Sequence, residues 1–341
     1  MKRVVVFLYL VLFVSCRSQN SIPEKYANTI KQDDLYNYIS VLASDSLEGR
    51  GTGTKGQKSA AIFIKNKFEK FGLLPWIKTK NGNSYFQEFK MHKKGIKKPF
   101  DLPMFLWNEK EVDEDELSNY VETENVLGYI KGSEKENEYI IISAHYDHLG
   151  RYEDKIFYGA DDNASGTSAL LEIAEAFSIA LKENYKFKRS VIFAAFTGEE
   201  KGLLGSRYFM EYPTIESTKI AANLNIDMIG RNGDEFVNVI GASIITPKLE
   251  ELIENVNDLY VDLRLDYSLD EGSTPSSLYK RSDQYNFARF GIPAVFFYGG
   301  YHSDYHRTSD TIDKINFSGL SKRTILIFHT AWELVNMKER F

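Results

Sequence analysis

The sequence predicts an α/β protein with a mixed, mostly parallel central sheet and helices on both of its faces. Short apolar runs suited to buried strands recur at Tyr139 to Ala144, Ser190 to Phe196, Ile220 to Ile226 and Ile292 to Tyr298. Segments of helical periodicity lie between them. Strands that alternate with helices pair in parallel, because each helix carries the chain back to the same edge of the sheet.

The elements follow in order. Met1, Lys2 and Arg3 make a basic start, and Val4 to Val14 is almost purely apolar. That run is too short to span a bilayer and suits the core of a signal peptide. Leu12 to Cys16 resembles a bacterial lipobox, in which the cysteine becomes lipidated after cleavage, with Phe13 in place of the usual leucine. The expectation is a signal peptide at 1–16, a polar tether at 17–30 and a single domain at 31–341. The product is then exported to the bacterial cell envelope, lipid-anchored or periplasmic, or secreted. Its membrane contact is through the N-terminal lipid anchor alone. Cys16 is the only cysteine, so the chain has no disulfide and no thiolate for catalysis or metal binding once the domain begins.

Leu35, Tyr38, Ile39 and Leu42 predict a helix behind Asp33 and Asp34. Ser46 to Thr54 is glycine-rich, but it follows a helix and lacks the Gly-Lys-Ser/Thr ending of a phosphate-binding loop. A second helix follows, with Ala60, Ala61, Ile64, Phe68 and Phe71 on one face and Gly72 as its stop. Residues 76–125 read as an irregular, insertion-like segment. They hold a basic run (Lys90, Lys93, Lys94, Lys97, Lys98) and an acidic run (Glu109 to Glu116), both read as solvated. Further helices are expected at Ala164 to Leu181, Thr246 to Leu259, Gln284 to Phe290 and Ser321 to Met337. With 341 residues and 43% hydrophobic content, a sizeable core is available. A formal net charge of -6 excludes nucleic acid as the main partner, which would demand a basic face.

In open α/β sheets, ligands bind beyond the carboxyl ends of the strands. The unusual polar residues fall at those ends: His145, Asp147 and His148 after one strand, Glu199 and Glu200 after the next, Asp227 after the third, and His302, Asp304 and His306 after the fourth. Asp161, Asp162 and Asn163 stand just before a helix. Zinc takes imidazole nitrogen and carboxylate oxygen where cysteine is absent. Two ions about 3.5–4 Å apart polarise a carbonyl and deprotonate a water. Such a pair needs a bridging carboxylate, further ligands on each ion, and one uncoordinated carboxylate to take the proton. The adjacent Glu199 and Glu200 suit that division.

At these residues the chain resembles the co-catalytic di-zinc exopeptidases typified by bacterial leucyl-type aminopeptidases. That family also includes glutamate carboxypeptidases, and glutaminyl cyclases share its fold. The segments that carry the resemblance are Leu42 to Gly53, Ser143 to Gly150, Gly159 to Gly166, Thr197 to Ser206 and Asn225 to Gly230. The resemblance implies two zinc ions. His145 and Asp227 hold one, Glu200 and His306 the other, and Asp162 bridges them, with a cis peptide before Asn163. It makes Glu199 the general base and Tyr305 a hydrogen-bond donor to the oxyanion. Asp147 orients the His145 imidazole, Asp283 lines the site, Asp310 belongs to the motif after His306, and Gly166 lets the helix start pack close to the sheet. His302 competes with His306 for the last ligand position, and His148 and Asp304 are supporting or structural.

The expected function is zinc-dependent hydrolysis of N-terminal residues from peptides. A carboxypeptidase would need basic groups in its pocket, for which Arg207, Arg231, Arg281 and Arg307 are candidates. A glutaminyl cyclase works with one zinc. A non-catalytic binding module usually shows missing ligands, and here the set is complete.

Overall fold

The structure, a computed structural model, describes residues 22–92, 118–270 and 277–341. The signal-like segment at 1–16, the acidic run and Lys93, Lys94, Lys97 and Lys98 lie outside the described residues. The strands are β1 (Leu74–Pro75), β2 (Ile77–Thr79), β3 (Gly82–Ser84), β4 (Phe86–His92), β5 (Tyr120–Ile130), β6 (Lys135–His145), β7 (Gly150–Tyr152), β8 (Lys155–Phe157), β9 (Arg189–Phe196), β10 (Ile220–Ile226), β11 (Phe236–Ile240), β12 (Arg264–Asp266) and β13 (Ala294–Tyr298). The helices are α1 (Ile22–Ala27), α2 (Gln32–Leu42), α3 (Lys55–Phe71), α4 (Gly166–Lys182), α5 (Leu204–Glu211), α6 (Ala242–Ile245), α7 (Pro247–Tyr260), α8 (Gln284–Ala288) and α9 (Phe317–Asn336).

Nine strands form one sheet in the order β1-β5-β9-β6-β10-β13-β11-β12, with β4 also on β5. Its centre, β9-β6-β10-β13, is parallel throughout. The β5 and β11 joins to that centre are antiparallel. The expected mixed, mostly parallel sheet is therefore present. Each central strand is buried on both faces, and its residues alternate between two cores. Ile140, Ile142 and Ala144 of β6 join one apolar cluster with α2, α3, α4 and α9. Tyr139 and Ile141 join another with Phe209 of α5 and Phe287 of α8.

Two expectations are corrected. The stretch read as a tether folds from Ile22 onward. In α1, Tyr26 stacks on Trp332 of α9 with ring centroids 5.4 Å apart and Ala27 is buried, as is Ile30 just past the helix, while Ile22 stays exposed. The segment read as irregular supplies the β2–β3 hairpin and β4, which pairs antiparallel with β5 from Phe86↔Val126 to His92↔Tyr120. A period-two pattern amid charged residues is weak without its partner strand.

Because β6, β9, β10 and β13 run in parallel, their carboxyl ends share one edge. Polar groups on that edge are the candidate site.

Candidate metal centre

His145 is the last residue of β6. Its Nε2 lies 3.1 Å from Asp227 Oδ1 and 3.4 Å from Asp162 Oδ1. Asp227 follows β10 and Asp162 lies in the turn before α4, where the Asp162–Asn163 peptide is cis. Gly166 opens α4 against the end of β10. A Cβ there would meet Asn163 Oδ1 at 2.3 Å and the Ile226 carbonyl at 2.5 Å, so only glycine lets the turn approach the sheet this closely.

On the other side of Asp162 stand Glu200 and two imidazoles. His306 Nε2 is 3.1 Å from Asp162 Oδ2 and 3.2 Å from Glu200 Oε2. His148 Nδ1 is 2.8 Å from Glu200 Oε1 and 3.7 Å from Asp162 Oδ2. Glu200 thus divides its oxygens between the two rings. His148 Nε2 is buried without a partner, so the proton of a neutral ring belongs on Nδ1, where it donates to Glu200. His306 Nε2 comes within 3.2 Å of both carboxylates, whereas His148 Nδ1 comes that close only to Glu200. His302 turns the other way, with Nε2 3.1 Å from Asp161 Oδ2.

The supporting groups correct two expectations. The Asp147 carboxylate does not orient His145, because the Asp147 carbonyl does so, 3.1 Å from Nδ1, whereas the nearest carboxylate oxygen is 3.8 Å away. A neutral imidazole has one N–H, and the carbonyl takes it. The carboxylate is buried and needs donors of its own, which it finds in the Thr52 hydroxyl at 2.5 Å and the Glu199 amide at 3.2 Å. It therefore positions the loop that carries Glu199. Asp310 accepts from the amides of Asp161 and Asp162 and so fixes the shared carboxylate's backbone. Asp283 accepts from Ser206 Oγ at 2.5 Å and anchors the start of α5 beyond Glu200 rather than entering the centre.

Sequence reasoning missed Ser282 and Arg50. Ser282 Oγ donates to Asp227 Oδ2 at 2.7 Å and itself accepts from Asn225. The fully buried Arg50 guanidinium donates to the carbonyls of Leu42, Tyr146, Tyr158 and Gly159, tying the loops on either side of the centre. The glycine-rich loop at 46–54 thus delivers an arginine to four carbonyls. Only long-range contacts reveal either role.

The electrostatics are those of a cation site. Burial opposes ionisation of Asp162, yet His148, His145 and His306 hold its carboxyl well below the usual range. Burial pushes Glu199 well above that range. His145 counteracts this, while Glu200, Asp227 and Asp283 add to it. Burial likewise raises Asp227. Buried carboxylates so close together need positive charge among them. The ligand atoms of His145, Asp162 and Asp227, and those of His148, Asp162 and Glu200, each fall within 4.8 Å of one another. Asp162 belongs to both groups. Nitrogen and oxygen donors without sulfur fit zinc.

Fold and site together make a candidate metal centre at the carboxyl edge of an open α/β sheet. The model of peptidase family M28 matches residues 125–331, and the chain belongs to that family. A relative from Arabidopsis thaliana, named "Probable glutamate carboxypeptidase", is 30% identical over 200 residues, which are 55% of this chain and 26% of the relative. The chain thus spans about a quarter of that relative's length. A zinc aminopeptidase from Bacillus subtilis superposes with a TM-score of 0.66 at 19% identity, over 91% of this chain and 96% of that one. A glutaminyl cyclase from Porphyromonas gingivalis does so with 0.64 at 16% identity, over 89% and 98%. These structures share its fold.

Proposed function

We propose that the protein is a zinc-dependent aminopeptidase, exported to the cell envelope, that releases N-terminal residues from peptides. His145 and Asp227 would hold one ion, Glu200 and His306 the other, and Asp162 both. Bound zinc supplies polarisation of the scissile carbonyl and a water acidified toward neutral pH.

The protein's own groups do the rest. Glu199 is the observation that carries the reading: a carboxylate only 11% exposed whose Oε2 stays 4.0 Å from His145 Nε2, beside the centre but outside both ligand groups. Its raised pKa suits a group that takes a proton from water and returns it to the leaving amine. The Tyr305 ring stacks on His306 with centroids 3.8 Å apart and lines the pocket that Asp162, Glu199 and Asp227 share. Burial raises its hydroxyl above the usual range, so it stays protonated and donates to the oxygen that gains charge. The carboxylates around the pocket favour the α-ammonium of a free N-terminus.

The test is a panel of aminoacyl amides and N-blocked peptides, with and without chelator. Free N-termini should be processed and blocked ones refused, with activity lost to chelator. Glu199→Gln should retain zinc while losing about 10²–10⁴-fold in kcat. Full activity in that variant would remove Glu199 from the mechanism.

A further inference from the structure

Arg281 lines the same pocket as Asp162, Glu199 and Asp227. It lies between the one-turn helix Leu278–Lys280 and Ser282, the donor to Asp227. Its amide N–H donates a hydrogen bond to the Leu278 carbonyl at 2.9 Å, which fixes its backbone, but its side chain is exposed. Among the described residues its guanidinium has no hydrogen bond and no ion pair. Other arginines near the motifs differ. Arg207 is engaged by Glu211 at 2.6 Å, and Arg231 by Asp304 at 2.8 Å. Arg307 is exposed but does not line the pocket.

An unpaired guanidinium at the rim of an acidic pocket is a fork of donors matched to a carboxylate. Which carboxylate follows from position. Among the other lining residues Met228, Phe296 and Tyr298 are buried and largely apolar, which suits an uncharged side chain. Arg281 is at the mouth, so it meets a group that stays near solvent, beyond the scissile bond. In a dipeptide the terminal carboxylate lies one residue past that bond, a Cα spacing of about 3.8 Å. A longer peptide puts a neutral amide there.

We infer that Arg281 is a specificity-determining residue that binds the free carboxylate of the leaving residue, making dipeptides the preferred substrate class. This rests on the aminopeptidase reading of the site.

The test is calorimetric binding to the zinc-loaded Glu199→Gln variant, which turns ligands over at least about a hundredfold more slowly. Leu-Leu should bind at least about tenfold more tightly than leucyl-leucinamide. Adding Arg281→Ala should bring Leu-Leu down to the amide's affinity and leave the amide unchanged, and Arg281→Lys should recover part of the difference. Equal binding of acid and amide, or an equal loss for both on Arg281→Ala, would overturn the inference. So would a loss confined to glutamyl-leucinamide, which would assign Arg281 to an acidic side chain instead. Release of N-terminal residues by the wild-type enzyme is scored separately. If it occurs without an acid preference, only Arg281's role fails. If an acid preference appears without such release, the aminopeptidase reading fails.

Discussion

The two halves of the proposed two-ion centre are built differently. His145 and Asp227 sit at the ends of parallel strands, with side chains 1% and 9% exposed. Each is held by a further group, His145 by the Asp147 carbonyl and Asp227 by the Ser282 hydroxyl. Glu200 lies in a one-turn helix after β9, and His306 lies in a loop at φ 55 with its side chain 37% exposed. Positive φ is uncommon for a residue other than glycine. The sheet thus supplies a rigid half and the loops an adaptable one, joined by Asp162. Ligands whose orientation is already fixed bind a metal more tightly, so the strand half should hold its ion more firmly.

That comparison breaks most severely at the shared residue. Asp162→Asn should cost both ions and at least about 10³-fold in activity, because each ion loses its bridging charge. Metal analysis of the purified variant checks this, and a variant that kept both ions would show the halves to be independent. A smaller effect is expected one layer out. Asp310→Asn leaves the ligands intact but loosens the amides of Asp161 and Asp162, and should weaken zinc binding about 10–100-fold. Competition with a chelator of known affinity reads this directly.

The last effect, which leaves the centre itself untouched, lies far from it, at Glu172 of α4. Burial pushes this carboxyl up to about 8 from 4.5, and its Oε2 accepts from the Lys31 amide at 3.1 Å. The folded state keeps the proton that the unfolded chain sheds near pH 4.5. Stability therefore falls as pH rises from about 4.5 to about 8, and levels off above. Glu172→Gln should flatten that decline and leave the protein more stable at pH 8, by on the order of a few kcal/mol. Denaturant midpoints at pH 5 and pH 8 would show it, with zinc content unchanged.

The rigid half was also the legible half. An apolar run that ends in His145 or Asp227 announces both a strand and its carboxyl end, so strand and ligand come from the same few residues. The loop half was harder to read. His302, His306 and His148 all follow strands, and only coordinates show His302 facing Asp161 while His148 and His306 share the oxygens of Glu200. The braces were not legible at all. Ser282 and Arg50 act on residues 55 and about a hundred positions away, and no local pattern encodes such pairings. The helix at Ile22–Ala27 was missed for a similar reason, since its polar surroundings hide a side that the distant Tyr185 and Trp332 cover.

The most direct measurement is a calorimetric zinc titration of the metal-free protein beside His306→Ala. Two binding steps of unequal affinity are predicted for the wild type, and the variant should keep the tighter step and lose the weaker. A single step in the wild type, or a variant that loses both, would contradict a two-ion centre with a firm strand half and a weaker loop half.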